Sequence, residues 1–177
     1  PEATTPNHHQ LARDFVLLDN FYVEAEVSAD GHEWTMGAYS TDFVEKSWPL
    51  SYGHNKTKKY PYPAEGKFAI ANPAGGYLWD VAKAAGVTYR SYGEFTVNGK
   101  TTNDPATTRI AALKGNIDPW FHGFDTDYSD LRRAARFIAE LQRFEQVGEM
   151  PRLQIVRLPN DHTAGATVGR LTPRAYL

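Results

Sequence analysis

An α/β fold with a mostly parallel sheet is predicted by three observations. Short apolar runs at 15–23, 87–95 and 153–158 read as strands, two segments between them carry helical periodicity, and polar clusters follow the runs. Ligands of such sheets sit beyond the carboxyl ends of the strands. The clusters SADGH (28–32), YGEF (92–95) and NDH (160–162) each fall in that kind of position.

PNHHQLARD (6–14) fits a short helix opened by Pro6 or Asn7. FVLLDNFYV (15–23), rich in β-branched and aromatic residues, reads as a buried strand. TMGAYSTDFVEKS (35–47) predicts a helix that Pro49 ends. Residues 50–76 form a long loop of Tyr, Pro, Gly and Lys, the sort that elaborates a site. YLWDVAKAAG (77–86) places Leu78, Val81, Ala82 and Ala85 on one helical face, with Gly86 as C-cap. VTYRSYGEF (87–95) follows as a strand, and 96–127 read as irregular. The strongest helix is 129–147. Ser129 or Asp130 caps it, Leu131, Ala134, Ala135, Ile138, Leu141 and Phe144 form its apolar stripe, and Gly148 ends it. LQIVRL (153–158) is a short strand running into PNDHTAG.

Composition narrows the function classes. With 177 residues, 41% hydrophobic and 13% aromatic, the chain suits one medium domain with a real core. A net charge of −2 argues against a nucleic-acid groove or a polybasic membrane surface, and KTKK (56–59) reads as a solvated run. No apolar run reaches the roughly 18 residues of a membrane helix. There are no cysteines, so disulfides and Cys-ligated zinc are excluded. A start without Met and the abrupt end RLTPRAYL are expected of an excised piece.

Ser28, Asp30, His32, Asp161 and His162 are the residue types of a hydrolytic metal site. Carboxylate and imidazole bind Zn²⁺, Mn²⁺ or Fe, and a serine oxygen beside such an ion ionises near neutral pH. Each cluster also has a plain reading as a polar turn, since Ser, Asp and Gly belong after any strand. Ser28, Asp30 and His32 are too close in the chain for a Ser–His–Asp triad, which draws on separated segments. Surface or capping roles suit His8, His9 and His54, and stacking on aromatics suits His122 in DPWFHGFD.

Three segments in order, PNHHQLARDFVLLDNFYVEAEVSADGHEW, GYLWDVAKAAGVTYRSYGEF and LQIVRLPNDHTAG, resemble the bacterial phosphoesterase family. That family contains phospholipase C and AcpA-type acid phosphatases and belongs to the alkaline-phosphatase-like superfamily. The resemblance implies a partial three-layer fold with long inserted loops. It also implies a metal-dependent phosphoric-ester hydrolase that works through a covalent phospho-enzyme. SADGH is similar to a TxxNH-like turn, with Ser28 at the nucleophile, Gly31 at the Asn and His32 at the His. Gly31 there offers a phosphate oxygen only its backbone N–H. NDHTAG is similar to the family's metal segment, with His162 and Asp161 as ligands of a divalent ion (Zn, Mn, Fe or Ca), and Glu94 is placed near the substrate.

The family carries an ENxxFD-like acidic segment before this region and a DDAQ-like one after it, and neither occurs in these 177 residues. The chain (1–177) is therefore expected to be the central part of a longer catalytic domain, binding metal weakly by itself. Its expected partner is a small phosphoester or phospholipid, in a periplasmic or secreted setting. The alternative is a non-catalytic ligand-binding α/β domain of a secreted or surface protein.

Overall fold

A computed structural model describes residues 1–52 and 61–177. His54 and KTKK, with most of the Tyr-rich stretch, lie outside them. The chain is mixed α/β, with six α-helices among the described residues: α1 Pro6–Asp14, α2 Ser28–Gly37, α3 Asp42–Tyr52, α4 Leu78–Ala84, α5 Asp130–Val147 and α6 Pro173–Tyr176. The strands are β1 Tyr89–Tyr92, β2 Thr96–Val97, β3 Thr107–Thr108 and β4 Leu153–Val156.

The sheet is small. β1 and β4 are parallel, in register from Tyr89 opposite Leu153 to Tyr92 opposite Val156. Ser91 bridges Ile117 in parallel on the other side, so β1 is central. β2 and β3 form a separate antiparallel pair. Parallel strands need a crossover, and the segment containing α5 supplies it. Because β1 and β4 run the same way, the YGEF and PNDH segments emerge at the same edge. This is the feature that positions the site.

FVLLDNFYV is not a buried strand. Its apolar residues, from Phe15 (72% exposed) to Val23 (85%), face solvent, and no described strand pairs with it. β-Branched and aromatic content marks a segment that can be a strand, but only a partner ladder makes it one. The helix predicted at 35–47 is two helices. Ala38 takes a left-handed conformation (φ 52°) and its N–H closes α2 on the Trp34 carbonyl. Thr41 Oγ1 then accepts the Val44 N–H at the start of α3. Pro49 lies within α3 rather than ending it. Proline there removes one backbone bond near a terminus, and the helix continues to Tyr52.

The main core gathers Tyr77, Trp79, Phe95, Leu113 and Ile117 with smaller residues around them. Tyr77, Trp79 and Phe95 form a triangle with ring centroids 5.0–5.4 Å apart. α4 buries Trp79 and Ala82, whereas Leu78 and Val81 of the predicted face are exposed. A second cluster joins Ala29 of α2 and Val44 of α3 to Ala64 and Ala71.

The α5 helix has the predicted caps: Ser129 Oγ accepts the Leu131 N–H, and Gly148 closes the end at φ 74°. Its predicted apolar stripe does not face inward as a whole. Leu131 is 83% exposed and Ile138 is exposed too; Phe144 of the stripe is buried, and Arg133 and Glu140 are buried beside it. The inner face is held by charge. Arg133 donates to the carbonyls of His122, Gly123, Asp125 and Tyr128 and to the Asp130 carboxylate. Arg136 forks onto buried Asp118 at 2.7 and 2.9 Å, and Arg90 of β1 pairs with Glu140 at 2.7 Å. Asn160 ties the segment after β4 to the same helix. It donates its own N–H to Asp130 Oδ2, and its side-chain oxygen accepts the Asp130 N–H.

Arg133→Met keeps much of the bulk but strands four carbonyls and a carboxylate. It is expected to lower the unfolding free energy by about 3 kcal/mol or more, read as a shifted urea midpoint.

Candidate functional site

SADGH is the first turn of α2, not a turn after a strand. Asp30 caps the helix: its Oδ1 accepts the N–H groups of Val27 (3.1 Å) and Gly31 (2.9 Å). Asp30, one of the residue types read as suiting a metal site, has this carboxylate oxygen committed to backbone. Ser28 and His32 are four apart on this helix, so they share one face.

That face opens on a cavity of about 1160 Å³. Ser28, His32, Glu94, Asp161 and His162 all line it, drawn from three separated parts of the chain. Gly31 does not line it. Its N–H is taken by the Val27 carbonyl and Asp30, so the expected contact with a phosphate oxygen is not available. The structure adds Tyr52, Tyr62, Glu65, Lys67, Phe124 and Arg157 to the wall.

The centre of the wall is a charged network. His32 Nδ1 lies 2.6 Å from Glu94 Oε1, and its Nε2 lies 3.0 Å from Arg157 Nη2. A guanidinium only donates, so Nε2 is the acceptor and Nδ1 carries the proton toward Glu94. Arg157 also donates Nη1 to Glu65 Oε1 at 2.8 Å and approaches Glu94 Oε2 at 3.5 Å. Its guanidinium sits 5.1 Å from the Phe124 ring centroid. Burial lowers the Arg157 pKa, but Glu65 and Glu94 more than offset this, and the net shift is upward.

Local backbone fixes each member. Glu94 lies in a turn after β1 where Gly93 has φ 87° and Phe95 has φ 50°, closed by Ser91 Oγ donating to the Glu94 carbonyl at 2.7 Å. A Cβ at Gly93 would come within 3.0 Å of the Phe121 ring. Arg157 follows β4 directly, its N–H on the Tyr92 carbonyl. Glu65 is itself left-handed (φ 57°), and its N–H donates to Glu33 Oε1. Glu33 is fully buried and also accepts from Tyr77 OH at 2.7 Å. Burial pushes the Glu33 carboxyl up to about 7, against the Tyr77 and Glu65 hydrogen bonds that pull it down.

Ser28 sits beside Tyr52. Burial raises the Tyr52 phenol, and the Ser28 hydroxyl and Ala29 N–H pull it back only in part, so it is a neutral phenol near neutral pH. Asp161 and His162 are exposed at the rim, with the His162 ring edge-on to Phe124 at 5.6 Å. Among the described residues, no three His, Asp or Glu side chains come together to hold a metal ion. Asp161 and His162 thus lack a third described ligand. His122 stacks on Tyr128 at 4.5 Å, as its aromatic surroundings suggested.

Arg157 and Glu65 went unread in the sequence. A signal for Arg157 existed: an arginine placed directly between an apolar strand and NDH. Glu65 had none, since its place depends on a contact with Glu33.

Against family models, curated proteins and solved structures, the chain has no match. Among the described residues no helix is long and apolar enough to cross a membrane.

The Glu33 carboxyl has a folded pKa near 7, above its ordinary 4.5. The folded state therefore holds a proton that the unfolded state has lost. This contribution is present in full below about 4.5 and is lost as pH rises toward 7. Relative to Glu33→Gln, the wild type is expected to lose on the order of 2–3 kcal/mol across that window, measured by urea titrations at stepped pH.

Proposed function

We propose that this chain carries part of a phosphoric-ester hydrolase site, with Ser28 as the nucleophile and the β1–β4 pair as a piece of an alkaline-phosphatase-like three-layer sheet. One observation supports the reading most. Ser28, His32, Glu94, Asp161 and His162, chosen from separate segments of the sequence, line one cavity.

The chain's own groups suggest how the reaction would run. Ser28 Oγ attacks phosphorus, an Oγ–P bond forms, and the bond to the departing alkoxide breaks. His32 Nε2 takes the serine proton and returns it to the alkoxide, while Glu94 holds Nδ1–H and stabilises the imidazolium. Water then breaks the Oγ–P bond and releases phosphate. Asp161 and His162 at the rim are donor types that suit a divalent ion, but they number two, and none of these steps runs through one.

A second reading is a ligand-binding domain without turnover. It is favoured by the contact between Arg157 and His32 Nε2, which occupies the lone pair that a base needs.

The two readings part on p-nitrophenyl phosphate and its diester. The hydrolase reading expects release of nitrophenol, a drop of about 10³-fold or more in Ser28→Ala, and a phosphoserine at position 28 after acid quench. Turnover unchanged in Ser28→Ala would exclude Ser28 as nucleophile. No turnover together with ligand binding would favour the second reading.

A further inference from the structure

We infer that Arg157 is the phosphate-positioning residue of this cavity, and that its transfer from His32 to an incoming phosphoryl group frees the imidazole to act as base. This rests on the phosphoester reading and goes beyond it, by assigning the anion-binding group and the state in which the site rests.

The first observation is charge. Among the described residues lining the cavity, only Lys67 and Arg157 carry a permanent positive charge, against Glu65, Glu94 and Asp161. A phosphoryl dianion entering that wall meets net negative charge unless it engages one of the two cations. Lys67 is exposed at the rim, and a lone ammonium there is a hydrated point charge. Arg157 is mostly buried, its side chain 13% exposed, and aims a planar fork of donors from beside β4. Guanidinium and phosphate are matched in geometry, and bonds between two ions are about twice as strong as neutral ones.

The second observation is what Arg157 now touches. Nη1 is on Glu65, a charged partner at 2.8 Å, whereas Nη2 is on a neutral imidazole nitrogen at 3.0 Å. The imidazole bond is the weaker of the two and the one a phosphate oxygen would displace. Glu65, pinned at its backbone by Glu33, keeps hold of Nη1 and limits how far the guanidinium turns. His32 stays oriented through Nδ1–H on Glu94. Its Nε2 lone pair then faces the cavity one helical turn from Ser28. The serine proton passes to Nε2 as Oγ–P forms, and it leaves with the alkoxide as the ester bond breaks. Without a phosphoryl group the His32 base is capped.

The test is a titration of the chain with inorganic phosphate, followed by the ¹⁵N resonances of the His32 ring. In the wild type, Nε2 is expected to shift on saturation while Nδ1 stays protonated. Arg157→Gln is expected to weaken phosphate binding by about tenfold or more and to abolish the shift. Arg157→Lys is expected to restore part of the affinity without the full shift. Ser28→Ala is expected to leave the phosphate response intact. Phosphate binding as tightly to Arg157→Gln as to the wild type would overturn the inference. So would a saturated wild type whose Nε2 does not move, or no binding at tens of millimolar. If Arg157→Gln fails to fold, wild-type affinity and a wild-type shift in Arg157→Lys overturn it equally. An intact, Arg157-dependent phosphate response without any turnover of p-nitrophenyl phosphate or its diester would remove the hydrolase reading and leave the phosphate-positioning role of Arg157 standing.

Discussion

Arg157 is a guanidinium largely withdrawn from water, and a withdrawn cation must keep its partners or the fold suffers. Its partners come from three other places: His32 on α2, Glu94 in the turn after β1, and Glu65 in the connection before α4. The requirement to satisfy one cation thus brings α2 against the carboxyl edge of the β1–β4 pair. It also explains the left-handed Glu65, whose backbone is held by a carboxyl that burial keeps near its protonation midpoint at neutral pH. The cavity is the space left beside this network, and its chemistry follows from which hydrogen bonds the network has spent and which it can release.

The same physics recurs under α5. A two-stranded parallel pair has little apolar surface with which to anchor an 18-residue helix. Arg133, Arg136 and Glu140 do much of the anchoring through buried carbonyls, Asp118 and Arg90. Buried ionic contacts are less forgiving than apolar ones, because removing one partner leaves the other uncompensated. They also fix orientation, since a fork on a carboxylate has one good geometry. Asn160 then places the segment after β4 against the helix start, which sets where Asp161 and His162 stand.

Elements whose signals are local were legible. The caps of α5, the first helix, the helix before β1 and the two parallel strands are written in short-range residue chemistry: Ser129 and Gly148 at helix ends, and apolar runs between turn residues. Glu94, Asp161 and His162 reach the cavity from the turns after β1 and β4, as strand-end sites do, whereas Ser28 and His32 line it from the first turn of α2, which no strand end foretold. What failed depends on partners distant in sequence. The stretch from Phe15 to Val23 has strand composition but no ladder among the described residues. The stripe from Leu131 to Phe144 has helical spacing, yet Leu131 and Ile138 face solvent while Arg133 and Glu140 turn inward beside Phe144, and Phe137 packs on Tyr92. Asp30 had the chemistry of a metal-site carboxylate, and its place in the first turn of α2 gives it backbone N–H groups to hold.

The sequence by itself determined the local vocabulary: which segments turn, which extend, and which residues carry acid, base or nucleophilic groups. Only the tertiary structure decided their pairing. Histidine 32 could have been oriented by any carboxylate; it is Glu94, 62 residues away, because the Gly93–Phe95 turn aims that side chain at α2. Arg157 could have been solvated, but the packing beside β4 leaves it only Glu65, Glu94 and the imidazole as strong partners among the described residues. Charges find partners through space, at separations that spacing along the chain does not encode.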